Sequence, residues 1–440
     1  SVFNPITKNK EEIKFIKQNG YNGLKEKNTY DIIFKNGQLY KASFFGDKRQ
    51  MGKIEVSQEL RFRDTLKIFP YSLKKASKEF IDLELSKEGL DYEKKRTLND
   101  ILTIEKKKYI YEDVFSLKYL VKKLCLEGFE INGKHVQYTK ITNSSQSLED
   151  YKLTLLEDFE FNQNLFEEIE FKDEIETLLF DTKFYNELDD KKKADILFKK
   201  VYPPLNYFED SWIRSSYYGG LSMVDFKNVD KYSKYKEKEG QVFDVNSLYP
   251  FIMLSRNLPI GRGVYHSKPY KYMTKRYKNT YNLYIQEITI FSMRLKPNKT
   301  AFVQVKDRSD FNGREVIEEN INLYGEKVPI RLRLCKPLFE LLFENYYIEG
   351  YELGGHYGYR GKQNMFKNYL DFWGQVKKTS TGCNRAISKL RQNALYGKFG
   401  TNGENEQLIV TAKDNKWYTE STHINYVSDS IYLPMATFIT

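Results

Sequence analysis

The segment Phe243-Asp244-Val245-Asn246-Ser247-Leu248-Tyr249-Pro250 decides how this chain of 440 residues is interpreted. The apolar residues of Gln241-Val242-Phe243 predict the end of a buried strand, with Asp244 at its C-terminal tip. A carboxylate beside a turn of free N–H groups is a natural place for a hard cation that carries phosphates. The competing interpretation is that Asp244 only caps a turn, and this segment alone leaves both open.

A second segment, Asn384–Gly400, predicts a helix with one polar face. The residues of that face recur at helical spacing, and they are Arg385, Lys389, Asn393, Tyr396 and Gly397. Two cations, an amide, an aromatic plane and a glycine suit a nucleoside triphosphate, with the cations on its phosphates. A solvated helix face is the alternative, because Lys and Arg are common on exposed helices.

Composition restricts the class of protein. Lys and Arg total 71 against 60 Asp and Glu, a net charge of +11 that favours a polyanionic partner. Aromatic residues make up 15%, which supplies ample core volume and argues against disorder. Three distant cysteines and four histidines without zinc-ligand spacing disfavour a disulfide-stapled or zinc-binding fold. No apolar run approaches the roughly 20 residues of a membrane span, so no membrane partner is expected.

Hydrophobic patterning outlines the order of elements. Thr29–Phe45 alternates and ends in Gly46-Asp47, which predicts a hairpin, and Tyr109–Gly128 has helical spacing. Further strands are expected over 60–69, 282–294 and 300–305, helices over 365–373 and 383–398, and a hairpin-like insertion over 401–430. Acidic residues crowd the stretch from Ser144 to Asp190, which predicts a helical connector whose carboxylates form a solvated face.

Together and in this order, the two segments resemble motifs A and B of the family B DNA polymerases. Asp244–Pro250 is similar to DxxSLYP, and Lys389–Gly397 is similar to KxxxNSxYG, with Ala394 where the family usually has Ser. Ser215–Gly220 resembles the YxGG element between exonuclease and polymerase domains. Flanking stretches resemble the protein-primed subgroup of phages and linear plasmids, namely Phe198–Pro203, Leu258–Gly261 and Lys377–Ser380.

The resemblance implies an α+β fold in which an incomplete RNase H-like exonuclease domain precedes a palm and fingers with insertions, and the thumb is absent. The implied boundaries begin with an exonuclease-like domain at 1–143 that lacks its first carboxylate motifs, followed by an acidic helical connector at 144–195. A palm with the YxGG element and motif A occupies 196–280, and an insertion of the priming-protein-contact type occupies 281–358. The fingers with motif B lie at 359–400, a strand-displacement insertion at 401–431 and a returning palm segment at 432–440.

The resemblance also implies roles for single residues. Asp244 would be one of two carboxylates that bind a pair of Mg²⁺ or Mn²⁺ ions, with help from the Val245 carbonyl. Tyr249 would lie under the sugar and exclude a 2′-hydroxyl, and Lys389 would hold the phosphates of the incoming deoxynucleoside triphosphate. The rest of the nucleotide site would be Ser247, Leu248, Asn393, Tyr396 and Gly397. The residues implied to contact DNA are Tyr217, Tyr218, Gly219, Gly220, Lys377 and Lys398.

A proofreading site is implied near Tyr109-Ile110-Tyr111-Glu112-Asp113, which resembles the YxxxD element of the 3′–5′ exonuclease. Asp113 would bind metal and Tyr109 would orient the attacking water. The family site also needs a DxE pair. Two segments match the DxE pattern, Asp82-Leu83-Glu84 and Asp158-Phe159-Glu160. Their positions in the chain favour the interpretation that both are surface carboxylates. The true partners are expected upstream of Ser1.

Motif C, which supplies the second polymerase carboxylate, is not identified. Tyr426–Tyr432 is superficially similar, but it has one Asp instead of two, so we reject it. Motif C is expected downstream of Thr440. A two-metal site would then be incomplete, and we expect this chain alone to be inactive or nearly so while still binding DNA.

The leading hypothesis is a DNA-directed DNA polymerase for protein-primed replication of a linear genome. Its expected partners are primer–template DNA, deoxynucleoside triphosphates and a terminal protein. Its expected location is the cytoplasm of a phage-infected bacterium, or the compartment of a linear plasmid or organellar element, and it is not expected to be secreted. The alternative is a catalytically inactive split or decayed remnant that only binds nucleic acid. A third hypothesis, an unrelated basic single-strand-binding protein, leaves the ordered motifs without explanation.

Overall fold

The computed structural model describes residues 29–35, 38–50, 53–61, 71–85, 103–140, 142–161, 188–220, 244–245, 247–304, 311, 316–322, 324–402, 404–413, 416–425 and 432–440. The chain divides into two compact units. One comprises 1–71 and 402–428, and the other comprises 72–401 and 429–440.

The first unit contains a five-stranded antiparallel sheet. Its strands are β1 (Thr29–Lys35), β2 (Gln38–Gln50), β3 (Lys53–Arg61), β10 (Glu404–Lys413) and β11 (Lys416–Asn425), in the spatial order β11-β10-β1-β2-β3. The hairpin predicted over 401–430 is confirmed by the β10–β11 pair. The central contact joins β1 to β10, with Tyr30 opposite Ala412. This sheet is therefore assembled from two segments that lie far apart in the chain.

The predicted N-terminal hairpin is confirmed, but its turn is elsewhere. Lys35 pairs with Gln38, so Asn36-Gly37 connects the strands, and this dipeptide favours two-residue hairpin turns. The predicted ending at Gly46-Asp47 is wrong, because β2 continues through both residues with only a shift in register. The strand expected over 60–69 lies outside the described residues after Arg61.

Helices and two further sheets form the second unit. The helices are α1 (Leu73–Ile81), α2 (Ile104–Val121, continued by a π-helical segment Lys122–Glu127), α3 (Asn143–Phe161), α4 (Asp190–Val201), α5 (Tyr207–Arg214), α6 (Leu248–Ser255), α7 (Lys275–Thr280), α8 (Lys336–Asn345), α9 (Lys367–Thr379), α10 (Gly382–Phe399) and α11 (Leu433–Ile439). Several begin at a side chain that accepts a hydrogen bond from the first turn: Ser72, Thr103, Asp189 and Asn206. No described helix is long and apolar enough to cross a membrane.

The sheets of this unit are antiparallel. β4 (Phe129–Ile131) and β5 (Lys134–Val136) form a short hairpin, and β6 (Leu258–His266), β9 (Tyr346–Lys362), β7 (Leu283–Leu295) and β8 (Ile330–Cys335) lie side by side in that order. Asn132 and Gly133, which connect β4 to β5, both have positive φ angles, as a type I′ turn requires. A hydrophobic core that includes Ile288, Leu332 and Leu342 covers the four-stranded sheet.

These elements confirm the predicted α+β class. The strand expected over 282–294 and the helices expected over 365–373 and 383–398 are present, although the first of these helices runs from Lys367 to Thr379. The strand expected over 300–305 is wrong for the described residues 300–304. There the N–H groups of Phe302 and Val303 donate to the Tyr346 hydroxyl, at 3.0 and 3.3 Å, instead of to a partner strand.

An aromatic core joins α3 and α4 to α9, α10 and α11. Its fully buried rings are Tyr151, Phe198, Tyr202, Phe366, Tyr369, Phe399 and Tyr432. The hydroxyls of Tyr151 and Tyr202 lie 2.7 Å apart, so these polar atoms are satisfied inside the core. Helix α3, interpreted from its charges as part of a solvated connector, thus carries core residues against α4 and α10.

The carboxylates of α3 require a correction. Asp158 is only 6% exposed and accepts a hydrogen bond from the Asn368 side chain, so its interpretation as a surface carboxylate is wrong. Burial raises its pKa. The acidic composition of this segment obscured the apolar face of α3. Packing of α3 against α9 buries Asp158.

Candidate active site

The motif A segment forms an exposed turn before α6. Asp244 and Val245 are both exposed, and Ser247 adopts the left-handed conformation (φ 55°, ψ 42°) at the residue where the helix begins. Pro250 lies in the first turn of α6, where a missing N–H costs little. The strand expected over 241–243 lies outside the described residues.

Asp244 has the chemistry that part of a metal site needs. Its carboxylate is exposed, and a carboxylate oxygen beside the Val245 main-chain carbonyl is the kind of ligand that a hard cation prefers. Within the described ranges, no three His, Cys, Asp or Glu side chains are grouped to hold a metal. Asp244 and Val245 therefore fit a divalent cation as a partial set of ligands.

The predicted row on α10 lies on its accessible side. Arg385, Lys389 and Gly397 are exposed, and Asn393 and Tyr396 are half-buried. A Cβ built at Gly397 would meet no atom within 4 Å. Glycine inside a helix costs stability relative to alanine, and no neighbouring atom requires it at this position. The free space at Gly397 is suited to a flat group that approaches the helix closely.

Two side-chain contacts join the motif A turn to the α9–α10 hairpin. The ring of Tyr249 stacks on that of Tyr396, with centroids 4.0 Å apart and an interplanar angle of 25°. The Lys377 ammonium donates to the Ser247 hydroxyl at 2.8 Å. Burial, together with the hydrogen bond to Tyr249, raises the pKa of Tyr396. Residues that the sequence keeps far apart thus form one continuous surface.

The segment that resembles YxGG contacts the end of α10. A Cβ at Gly400 would lie only 2.7 Å from the Tyr217 hydroxyl, so a larger residue at position 400 would require the Tyr217 side chain to move. Tyr218 packs against the core of the four-stranded sheet, where burial raises its pKa to about 12. Gly219 accepts a hydrogen bond from Gln304 at 3.3 Å. A Cβ at Gly219 or Gly220 would meet no atom within 4 Å, so an open surface follows the two tyrosines.

Lys398, at the end of α10, is a half-buried cation. Burial lowers its pKa, and the like charge of Lys152 lowers it further. Lys152 is itself buried and pairs with Asp195. No described carboxylate pairs with Lys398, and its contact with DNA stays a prediction.

The proposed exonuclease residues lie one turn apart on α2. Tyr109 and Asp113 are both half-buried there. Asp82 ends α1 in a left-handed conformation, and Glu84 pairs with Lys78. Both of these carboxylates are exposed, so their interpretation as surface residues is confirmed. The roles of Tyr109 and Asp113 stay predictions.

Sequence reasoning missed Arg391, which lies on the opposite side of α10 from Lys389. Its side chain is fully buried, with its Nε 3.3 Å from Oδ2 of Asp150. Its guanidinium also lies 4.6 Å from the ring centroid of Tyr138. Burial raises the pKa of Asp150, and the charge of Arg391 opposes that rise. Helical periodicity could have identified Arg391, because it predicts that position 391 lies on the buried face of α10.

Comparison with known proteins places this site in a family. Residues 2–440 match the model of DNA polymerase type B, organellar and viral. The DNA polymerase of Bacillus phage M2 is 30% identical over 432 residues, covering 97% of this chain and 64% of that protein. The DNA polymerase of Bacillus phage phi29 is 28% identical over 433 residues, covering 97% and 63%.

The fold agrees with these matches. Phi29 DNA polymerase complexed with primer-template DNA and incoming nucleotide superposes with a TM-score of 0.66 at 26% identity, over 98% of this chain and 64% of that one. The chain thus spans about 64% of the length of the Bacillus phage M2 polymerase and of the phi29 polymerase structure. Because the family model matches nearly the whole chain, and the phage relatives and the superposition agree with it, the chain belongs to the type B DNA polymerases of organelles and viruses.

Proposed function

We propose that the chain provides the nucleotide- and DNA-binding surface of a DNA-directed DNA polymerase that adds deoxynucleotides to a primer terminus. The observation that supports this most directly is the contact between the motif A turn and α10, made by the Tyr249–Tyr396 stack and the Lys377–Ser247 hydrogen bond. It brings one carboxylate, exposed cations and a flat aromatic surface to one region. A polymerase needs these groups side by side to hold a nucleotide against a primer.

In this proposal each side chain has a separate task. Lys389 holds the phosphates of the incoming nucleotide as an exposed cation. Tyr249 places its ring under the sugar, and the stack on Tyr396 fixes that ring where a 2′-hydroxyl would collide with it. Gly397 leaves the space that the nascent base pair occupies. These residues select and orient the substrate before any chemical step.

Divalent cations fit this site in part. Asp244 and the Val245 carbonyl would hold Mg²⁺ or Mn²⁺ together with a second carboxylate from motif C. Ions held there would supply activation of the primer 3′-hydroxyl and stabilisation of charge on the transferred phosphoryl group. Asp244 contributes a fixed negative charge at the turn, and Lys389 supplies positive charge on the phosphate side.

The wider function follows from the resemblance. In the complete protein, Tyr109 and Asp113 would belong to a 3′–5′ proofreading site, and a terminal protein would prime replication of a linear genome. Segment 281–358 is the proposed contact for that protein, and it contains the strands β7 and β8 and most of β9. DNA would be bound by the segment 217–220, Lys377 and Lys398. The expected location is the cytoplasm of a phage-infected cell.

Primer extension tests the proposal. This chain and a longer form of the protein that continues past Thr440 would be given primed template, deoxynucleoside triphosphates and Mg²⁺. We expect extension by the longer form, with its loss in Asp244→Asn and full activity in Asp82→Asn. Asp82 is a matched control because its carboxylate is exposed and Asn tolerates the left-handed conformation.

The alternative function, an inactive remnant that only binds nucleic acid, makes a different prediction. Neither form would extend a primer, although both would bind primed DNA with an affinity that falls steeply as salt is added. Unchanged activity of Asp244→Asn would instead contradict the assignment of Asp244.

A further inference from the structure

The N-terminus of α10 is capped by a residue from a distant part of the chain. Thr381, which precedes the helix, makes no side-chain cap. Instead the Glu79 carboxylate on α1 accepts hydrogen bonds from the Cys383 N–H, at 2.6 and 2.8 Å to its two oxygens, and from the Asn384 N–H at 3.2 Å. A carboxylate at this end of a helix also interacts favourably with the helix dipole.

Gly382 makes this contact possible. Its φ angle is +57°, a conformation that side chains rarely adopt, and a Cβ added there would overlap Oε2 of Glu79. The backbone conformation therefore favours glycine, and a side chain at this position would displace the carboxylate. The local sequence is adapted to receive an acceptor from outside the hairpin.

A second contact holds the other side of the same hairpin tip. Asn132, in the turn between β4 and β5, donates from its side-chain amide to the Thr379 hydroxyl at 3.3 Å. Glu79 and Asn132 both precede α3 in the chain, in the part predicted to be exonuclease-like. The tip between α9 and α10 is thus fixed at two points by that part of the protein.

Hydrogen bonds connect the tip of the α9–α10 hairpin to the motif A turn. Arg385, in the first turn of α10, donates to the Lys377 carbonyl at 2.6 Å, and the Lys377 ammonium donates to Ser247. Movement at the start of α10 would therefore displace Lys377 and the turn that carries Asp244. The described contacts form a continuous series from Glu79 to Ser247.

We propose that Glu79 is a positioning residue for the nucleotide site. It fixes the start of α10, and thereby the row of α10 that carries Lys389 and the contact of Lys377 with Ser247. This inference rests on the proposed function, because it assumes that this surface binds a deoxynucleoside triphosphate. Glu79 lies outside the nucleotide-binding row, so it acts through the helix.

The test compares Glu79→Ala, Glu79→Gln and the control Glu84→Ala. Glu84 is an exposed carboxylate of the same segment that pairs with Lys78 instead of α10. Hydrogen exchange of the Cys383 and Asn384 amides reports the cap itself. The dissociation constant of a deoxynucleoside triphosphate, measured with primer–template DNA and Ca²⁺, reports the nucleotide site, and DNA affinity without nucleotide reports overall integrity.

We expect Glu79→Ala to speed exchange of both amides and to weaken nucleotide affinity about five-fold, the effect of losing a helix cap. Glu79→Gln, which keeps an acceptor, should be intermediate, and Glu84→Ala should match the wild type. DNA affinity without nucleotide should fall less than nucleotide affinity, because Lys377 is just one of the proposed DNA contacts. Unaltered exchange, or unaltered nucleotide affinity in a Glu79→Ala protein that binds DNA normally, overturns the positioning role alone. A wild-type protein that binds no nucleotide overturns the proposed function as well.

Discussion

The two faces of α10 use the same chemistry for opposite purposes. On one face Lys389 is exposed, and no described residue forms an ion pair with it. Two positions later Arg391 is fully buried against Asp150 and the ring of Tyr138. One cation is available to a ligand and the other is used by the fold. Charge alone therefore does not identify a binding residue, and the surroundings of the charge decide its role.

The largest effect should follow from breaking the buried face. Arg391→Ala leaves the largely buried Asp150 carboxylate without its cation and opens a cavity where the guanidinium packed, which we expect to lower the free energy of unfolding by about 3 kcal/mol. Urea denaturation would measure it. Lys389→Ala is the matched control, with an expected change within about 0.5 kcal/mol. Equal stability of the two variants would contradict the distinction between the faces.

For nucleotide affinity, a substitution on the exposed face of α10 should have a larger effect than one on its buried face. Lys389→Ala removes an exposed cation from the phosphates, and we expect affinity for a deoxynucleoside triphosphate to fall by about 2 kcal/mol, the value of a hydrogen bond to a charged group. Equilibrium binding with primer–template DNA and Ca²⁺ measures it. Lys378→Ala, at an exposed lysine of α9 outside the proposed site, tests whether the loss is specific to Lys389. An unchanged affinity would show that this face is merely solvated.

A smaller effect of opposite sign is expected at Gly397. Because a Cβ there meets no atom, Gly397→Ala should stabilise the helix by about 0.5–1 kcal/mol. The same methyl group would intrude on the space proposed for the base pair, so nucleotide affinity should fall. Thermal unfolding and nucleotide binding together provide the readout. Increased stability with intact binding would mean that no ligand approaches this glycine.

The smallest effect concerns Lys398. Removing its charge in Lys398→Gln should reduce the slope of log affinity for DNA against log salt by about 0.9, the contribution of one phosphate contact. Its lowered pKa means that its charge is lost at a lower pH than that of an exposed lysine. As the pH is raised, the DNA affinity of the wild type should therefore begin to fall at a lower pH than the DNA affinity of Lys398→Arg. Identical pH profiles would remove Lys398 from the DNA surface.

The sequence predicted most of one face and little of the other. Lys389, Asn393 and Gly397 were found because their spacing along one helix is short-range information. Arg391 was missed because its partner Asp150 lies in a segment whose acidic composition suggested solvent. Burial of a charge depends on contacts between distant segments, and one sequence does not contain them.

The same limit applied to the fold. Strand β7 and helix α10 were predicted because each has its own periodicity. The cap from Glu79 and the pairing of β1 with β10 were not predicted, because each joins residues hundreds of positions apart. The order of two motifs was sufficient to identify the family, since each motif is local.

The pairing of β1 with β10 has a consequence for biosynthesis. The strand opposite Tyr30 contains Ala412, so the ribosome must synthesise every residue between these two strands before β1 acquires that neighbour. At typical rates of translation this delay lasts tens of seconds. During that interval the edge of β1 is open to unwanted pairing with other nascent chains. The β10–β11 hairpin therefore completes the amino-terminal sheet when it pairs with β1. The yield of folded protein should depend on chaperones that shield the edge of β1 until then.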